Sequence, residues 1–250
     1  DEVHLSQPFA ETLAGLNHLR GRFRESSLVP SRFEFALLSA TPGPLKVEPF
    51  RLDESEKNHA SPLGARLHAS KPVRLIEVAD RQAVEQACVD QAGALIRRHD
   101  VIAVVVNRVA GAARVAQALS VHSPQDEVVL LTGRMRPLDR DDVLRSLGAR
   151  IMTGRDRTSV EKKLIVVGTQ CIEAGADFDF DAMVTEAASL DALRQRFGRV
   201  DRGGLYGKAE GVIVRDKSAD DDPVYGAALS LTTSWLKARL TKKEKVVDFG

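Results

Sequence analysis

The segment TQCIEAGADFDFDAMVTEAASLDALRQRFGRVDR, residues 169–202, contains two short polar motifs, here called phrases, separated by a mainly apolar stretch. The first phrase is Thr169-Gln170, followed by Glu173, Gly175 and Asp177, and the second is residues 195–202. An apolar run ends at Gly168, and residues 182–185 predict a second short strand between the phrases. Ser189 is a plausible N-cap, so residues 190–197 predict a helix that leads into the second phrase.

Arginines at the end of this helix recur at a spacing of three, which lets two of them point to the same side. Arg199 and Arg202 could then hold the oxygens of a polyanion in a fork geometry. A site of phosphate transfer needs such cations from a domain that faces the nucleotide across a cleft. The alternative is an exposed, charge-rich helix that ends in the Gly203-Gly204 turn.

Outward from this segment, strand and helix patterns alternate. The run 101–106 (VIAVVV) is typical of a strand buried on both faces. Further strands are predicted at 73–78, 128–131, 164–167 and 210–215, and helices at 81–98, 112–119 and 138–147. Successive βαβ units predict an α/β fold with a mostly parallel sheet covered by helices.

Two polar loops follow strands of this predicted sheet. Asn107-Arg108 follows the strand at 101–106, and Thr132-Gly133-Arg134 follows the strand at 128–131. Parallel sheets bind ligands at the carboxyl ends of their strands, so these loops are candidate binding loops. Each could equally be a plain connection.

The ends of the chain are less regular. Residues 8–19 predict a helix and residues 33–38 a short strand, whereas 43–71 show little periodicity and predict a connector. We therefore predict three parts: 1–72, a domain remnant plus linker; 73–217, a complete domain; and 218–250, the start of a helical extension. In the last part, residues 224–240 predict a helix, with Pro223 in its first turn.

Composition excludes several classes of protein. With 43% hydrophobic and 28% charged residues the chain is globular, and its net charge of +1 gives no global basic field. The two cysteines, Cys88 and Cys171, lie far apart and imply neither a zinc site nor a disulfide framework. No apolar run is long enough to span a bilayer, and no signal peptide is present, so we expect a cytoplasmic location.

Four short motifs and a pair of loops occur in the order found in superfamily 2 helicases. Gln195 to Arg202 matches the Gln-Arg-x-Gly-Arg-x-x-Arg signature of motif VI, and the Thr169 phrase resembles motif V. Asp1-Glu2-Val3-His4 resembles the DEAH/DEVH box of motif II, and Ser39-Ala40-Thr41 resembles motif III. The loops at Asn107 and Thr132 fall where motifs IV and IVa do. The resemblance implies a RecA-like helicase fold whose second domain is complete and whose first domain is only a C-terminal remnant.

The resemblance also implies roles for the residues. Asp1 would hold Mg²⁺, Glu2 would orient the attacking water, and His4 would couple the nucleotide to motif III, where Ser39 and Thr41 relay its state. Candidate catalytic residues in motif VI are Gln195, Arg199 and Arg202, and Gly175 and Asp177 would lie near ATP. Candidate nucleic-acid contacts are Asn107, Arg108, Thr132, Gly133, Arg134, Thr169 and Gln170.

Within the superfamily, the chain most resembles the CRISPR-associated helicase–nucleases of type I systems. The residues that carry this are 178–181 (FDFD), 184–186 and 189–193, which run into QRFGR, together with the opening HLSQPF. That family implies ATP-driven movement on single-stranded DNA, a partner RNA-guided surveillance complex, and an HD nuclease domain. His99-Asp100 lies between a helix and a buried strand and is interpreted as a turn.

Two features of the family are missing from these residues. There is no Gly-x-x-x-x-Gly-Lys-Ser/Thr loop and no HD cluster, so both are expected elsewhere in a longer protein and this chain alone should not hydrolyse ATP. Two alternatives stay open: a general DEAH-type RNA or DNA helicase, and a RecA-like binding module without catalysis. Intact Asp1, Glu2, Arg199 and Arg202 argue against the inactive module.

Overall fold

The computed structural model describes residues 7–23, 52–158, 162–173, 177–219, 222–240 and 246–250. Contacts divide the chain into two units, Asp1–Arg51 and Leu52–Gly250. Six candidate site residues lie outside the described residues, as does the predicted strand 33–38: Asp1, Glu2, His4, Ser39, Thr41 and Gly175. The three-part division drawn from the sequence stays a prediction.

In the first unit the structure describes one helix, α1 (Gln7–Phe23). The second unit contains the helices α2 (Pro62–Leu67), α3 (Arg81–Ile96), α4 (Val109–His122), α5 (Pro137–Ile151), α6 (Leu190–Phe197) and α7 (Ala228–Arg239). Its strands are β1 (Pro72–Val78), β2 (Val101–Val105), β3 (Glu127–Leu131), β4 (Leu164–Gly168), β5 (Ala182–Glu186), β6 (Glu210–Asp216) and β7 (Val246–Asp248).

These strands form one seven-stranded sheet in the order β3-β4-β2-β5-β6-β1-β7. Every pairing is parallel except that of β7, which runs antiparallel to β1 at the edge. The predicted mostly parallel α/β sheet is therefore confirmed. Because β2 and β4 are central and parallel, all five residues of each are buried.

Two hydrophobic cores cover the two faces of the sheet. Val105 and its same-face neighbours pack with α5, α6 and α7, whereas Val104 and its neighbours pack with α3 and α4. Alternate residues of β2 thus enter opposite cores, as the twofold repeat of a strand requires. The continuous apolar run at 101–106 follows directly from this double burial.

Helix α6 begins and ends where the sequence predicts. The Ser189 hydroxyl accepts a hydrogen bond from the Ala192 backbone N–H at 3.3 Å, and Asp191 lies in the first turn. At the other end Phe197 packs over Gly211 of β6, where an added Cβ would lie 2.4 Å from the ring. This close approach seats the end of the helix on the sheet.

The structure differs from the sequence prediction in the C-terminal segment. The helix predicted from residue 224 begins instead at Ala228, which makes that prediction wrong at its N-terminus. The Asp222 carboxylate accepts the Val224 N–H at 2.8 Å, and Gly226 adopts a φ of +51°. These contacts form a turn before the helix, so Pro223 lies in the turn and not in the first helical turn. The predicted connector also contains a helix, α2, which Ser61 caps.

Candidate functional site

The carboxyl ends of four adjacent strands carry the candidate binding loops. Thr132 follows β3, Thr169 follows β4, Asn107 follows β2, and Glu186 ends β5. Because these strands are parallel and neighbouring, their carboxyl ends lie side by side, and residues that are far apart in sequence come together there. The candidate nucleic-acid-binding residues of motifs IV, IVa and V thus lie together at the carboxyl ends of the strands.

Arg196 ties these loops together from within, and its side chain is fully buried. Its Nε donates to Glu173 Oε1 at 2.8 Å, and its Nη1 donates to the Thr185 hydroxyl at 2.7 Å. Its Nη2 donates to Asn107 Oδ1 at 3.1 Å. A buried guanidinium needs such compensation, and all three nitrogens have acceptors here. The sequence did not single out Arg196, because the signature alone does not show which arginines are buried or what they contact.

Asn107 is held inside this network and does not face solvent. Its backbone N–H donates to Glu186 Oε2 at 2.8 Å, and its side-chain amide donates to the Ala187 carbonyl at 2.8 Å. Gln170 Nε2 donates to the Asn107 carbonyl at 3.1 Å, which joins the loops after β2 and β4. The side chain of Asn107 therefore positions its loop, and the exposed neighbour Arg108 is the cation that faces solvent there.

The remaining edge residues fall into two classes. Thr132 and Thr169 are buried. Gly133 and Arg134, in contrast, are exposed. A flexible guanidinium beside open backbone is suited to contact phosphate oxygens.

Arg199 and Arg202 follow the end of α6, where the chain has returned to the amino ends of the strands. The Phe180 N–H, just before β5, donates to the Arg199 carbonyl at 2.8 Å. The Arg199 side chain is 5% exposed and donates from Nη2 to the Glu173 carbonyl. The side chain of Arg202 is 28% exposed, and its Nε lies 2.6 Å from Asp177 Oδ1. Both arginines therefore contact residues of motif V: Arg199 contacts Glu173, which follows the Gln170 turn, and Arg202 contacts Asp177.

A buried acidic pair supports this end of the site. Asp179 Oδ1 accepts the Arg202 backbone N–H at 2.9 Å, and its other oxygen pairs with Arg157 at 2.7 Å. Asp181 pairs with Arg155 and Arg157 and accepts the Val101 N–H at 2.9 Å. The FDFD phrase thus alternates two core aromatic residues with two buried carboxylates that fix the loops. In the sequence, this stretch carried only the family resemblance, because nothing local indicates the distant partners of the carboxylates.

Asp201 and Lys71 complete the amino-end group. Asp201 has a φ of +40°, and its carboxylate accepts the N–H groups of Leu205, Tyr206 and Gly207 at 3.0 to 3.2 Å. Burial lowers the pKa of Lys71, although the nearby Asp201 charge opposes that shift. Lys71 Nζ donates to the Phe197 carbonyl at 3.3 Å, where the C-terminal end of the α6 dipole favours a cation.

Gln195 has an unsatisfied polar atom. Its buried Nε2 has no hydrogen-bond partner among the described residues. A buried donor normally has an acceptor, so this amide fits an acceptor group supplied from outside the described part of the chain. The three motif VI candidates therefore differ: Gln195 has an unsatisfied amide, the Arg199 guanidinium is buried and the Arg202 guanidinium is partly exposed.

No metal-binding cluster occurs in the described ranges, where no group of three His, Cys, Asp or Glu side chains could hold an ion. His99 instead bonds Glu210 through Nε2 and Tyr206 through Nδ1, at 2.8 and 2.9 Å. The candidate Mg²⁺ residues lie outside those ranges. Within them, no helix is long and apolar enough to cross a membrane.

The central segment of the chain is similar to a known protein family. Residues 98–204 match the family model described as CRISPR-associated nuclease/helicase Cas3, C-terminal. The CRISPR-associated nuclease/helicase Cas3 of Methanothermobacter thermautotrophicus is 33% identical over 99 residues, which cover 40% of this chain and 10% of that protein. The CRISPR-associated helicase Cas3 of Thermoproteus tenax is 38% identical over 95 residues, covering 38% of this chain and 15% of that protein.

Solved structures show the same fold. The crystal structure of T. fusca Cas3-ATP superposes with a TM-score of 0.58 at 21% identity, covering 80% of this chain and 23% of that one. A chain of a CRISPR RNA-guided surveillance complex, pre-nicking, gives 0.56 at 20% identity, covering 71% of this chain and 24% of that one. The resemblance inferred from the motifs is confirmed for residues 98–204, which are similar to the C-terminal region of Cas3, and the fold is the RecA-like fold of these structures.

Proposed function

We propose that this Cas3-like region is the second RecA-like domain of an ATP-dependent DNA helicase that acts in CRISPR interference. The observation that carries the proposal is the buried network of Arg196, which joins Asn107 of motif IV to Glu173 of motif V. Arg196 itself belongs to motif VI. A motor needs nucleotide-sensing and strand-binding loops that move together, and this network supplies a rigid link between them.

ATP and Mg²⁺ are the cofactors of this proposal. Arg199 and Arg202 would approach the γ-phosphate, Gln195 would donate from its unsatisfied amide, and Gly175 and Asp177 would lie nearby. Asp1 and Glu2 would hold Mg²⁺ and orient the water, with His4, Ser39 and Thr41 relaying the state of the site. Bound ATP supplies the phosphoryl group whose developing negative charge these arginines neutralise. The assignment of ATP to this site rests on Arg199, Arg202 and the unsatisfied Gln195 amide, because cations and N–H donors bind phosphate oxygens.

Coupling would begin at Arg202. Its guanidinium is paired with Asp177, and phosphate oxygens would compete for the same N–H groups. A shift in the loop that starts at Glu173 would reach Arg196, because Glu173 accepts from that side chain. Arg196 would pass the shift to Asn107 and, through the Asn107 carbonyl, to Gln170.

Single-stranded DNA would lie along the carboxyl edge. Arg108 and Arg134 offer exposed cations there, Gly133 offers open backbone, and Thr132, Thr169 and Gln170 hold their loops in place. Contacts of this kind bind phosphates and carry little sequence information. Target selection would then belong to a partner, an RNA-guided surveillance complex, and strand cleavage to an HD nuclease domain outside this chain, in the cytoplasm.

The experiment uses the full-length protein that carries this chain. We expect ATP hydrolysis that single-stranded DNA stimulates and single-stranded RNA does not, together with displacement of a labelled strand from a tailed DNA duplex. Stimulation by RNA alone would favour the general DEAH-type helicase. Binding of DNA without any hydrolysis would favour the inactive RecA-like module. The 250-residue chain assayed beside it should bind DNA without hydrolysing ATP, because it contains no Gly-rich phosphate loop.

A further inference from the structure

Tyr225 contacts the motif network but belongs to none of the motifs. It lies in the turn before α7, beyond residue 204 where the family match ends. Arg196 Nη2 donates to the Tyr225 hydroxyl at 2.7 Å, and its guanidinium carbon lies 5.9 Å from the ring centroid. A hydroxyl that accepts from a buried cation makes a strong, directional contact.

The turn that carries Tyr225 is firmly attached. The Gly226 N–H donates to the Asp222 carbonyl at 2.7 Å, and the Tyr225 ring packs against the core beneath α7. Asp222 Oδ2 also lies 3.8 Å from Arg108 Nη2, a cation on the carboxyl edge. The turn therefore contacts motif IV through Asp222 and motif VI through Tyr225.

The ring is also close to motif V. Burial raises the pKa of Tyr225, while the Arg196 charge and a hydrogen bond from Gln170 act in the opposite direction. Gln170 is the residue whose Nε2 donates to the Asn107 carbonyl. The neutral hydroxyl thus lies where the three motif loops meet.

We propose that Tyr225 is a positioning residue that couples the segment after β6 to the nucleotide-sensing and DNA-binding loops, through its hydroxyl contact with Arg196. The inference rests on the proposed function. Without the hydroxyl, Arg196 Nη2 keeps only Asn107 as an acceptor, so this end of the guanidinium is held less firmly beside the loop after β2. The loop after β2 then no longer responds to the loop that starts at Glu173.

The test compares the two tyrosines of the chain. Tyr225→Phe keeps the ring and removes only the hydroxyl. Tyr206→Phe is the matched control, because its hydroxyl bonds His99 at the amino ends of the strands. In the full-length protein, Tyr225→Phe should lower the ratio of DNA-stimulated to basal ATP hydrolysis about tenfold, the size expected for a hydrogen bond to a charged group. The KM for ATP should stay within about twofold, since no nucleotide contact is removed.

A second measurement does not depend on activity. Hydrogen exchange on the 250-residue chain should become faster at Asn107 and Ala187 in Tyr225→Phe and remain unchanged at residues 205–207. Tyr206→Phe should show the reverse pattern.

The outcomes separate the two proposals. An unchanged stimulation ratio in Tyr225→Phe, or an equal loss in both variants, overturns the role of Tyr225 and leaves the helicase proposal standing. A wild-type protein that DNA does not stimulate overturns the helicase proposal and this inference with it. A uniform acceleration of exchange across the sheet in Tyr225→Phe also overturns the inference, because it indicates a purely structural role.

Discussion

The Nε atom of Arg202 lies 2.6 Å from Oδ1 of Asp177, so the last arginine of motif VI is paired with the last acidic residue of motif V. The backbone N–H of the same arginine donates to Asp179 at 2.9 Å. Two carboxylates from one segment therefore hold both the main chain and the side chain of Arg202. Because its side chain is still 28% exposed, this guanidinium can exchange Asp177 for a phosphate without unfolding its loop.

Arg199 is expected to act on turnover more than on binding. In the full-length protein, Arg199→Ala should keep nucleotide affinity within a few fold and lower the hydrolysis rate by a factor of about a thousand or more. Fluorescent-nucleotide titration and steady-state ATPase assays measure the two quantities. Arg194→Ala, at an exposed position of the same helix, should leave both unchanged. Normal hydrolysis in Arg199→Ala would remove this residue from the proposed site.

Replacement of Arg196 is expected to lower the unfolding free energy of the chain. Arg196→Ala removes the cation that faces the partly buried Glu173 and leaves acceptors at Thr185 and Asn107 without their donor. Breaking a buried pair in this way costs about 3–5 kcal/mol of unfolding free energy. Urea denaturation of the chain measures it. The control Arg145→Ala breaks an exposed pair with Asp142 and should cost at most about 1 kcal/mol. Equal losses in both variants would contradict the central place of Arg196.

Gly211 is expected to be intolerant of a side chain. In Gly211→Ala the new Cβ would meet the Phe197 ring at 2.4 Å and the Val73 side chain at 3.0 Å, so the buried ring must shift. Overpacking of this kind costs about 1–3 kcal/mol. Gly148→Ala is the opposite case, since nothing lies within 4 Å and the site is inside α5, where alanine is favoured by up to about 1 kcal/mol. Thermal unfolding should show shifts of opposite sign, and shifts of the same sign would contradict the packing described here.

Tyrosine ionisation gives a prediction on pH. Burial raises the pKa of Tyr206 from the ordinary 10.0 to about 12, so the folded chain favours the neutral phenol. A raised pKa means that the folded state holds its proton longer than the unfolded state does. The contribution of the neutral Tyr206 phenol to the unfolding free energy is fully present below pH 10.0 and is lost as the pH rises towards about 12. Ultraviolet titration of Tyr225→Phe, which retains only Tyr206, should show ionisation well above the midpoint found in urea. Coincident midpoints would contradict the buried environment of Tyr206.

Local patterns were sufficient for much of the fold. The apolar run at 101–106 is a central strand because only a strand covered on both faces carries no polar alternation. Ser189 and the periodic residues after it gave α6 its correct bounds, since capping is a local contact. The start of α7 was predicted wrongly because Pro223 suits a first helical turn in isolation. In the folded chain, the cap from Asp222 and the positive φ of Gly226 outweigh that preference.

The periodicity of apolar residues along the chain was enough to predict the parallel sheet, and the motif residues themselves carried the resemblance to a helicase family. The folding of distant segments onto one another buries Arg196 and Arg199 and leaves Arg202 partly exposed, which the local pattern does not predict. Arg196 lies in the last turn of α6, and its side chain reaches Thr185 of β5 and Asn107 after β2, whereas Arg202 lies beyond the helix and pairs with Asp177. Tyr225 joins Arg196 for the same reason: hydrogen bonds between distant segments depend on how strands are ordered in space.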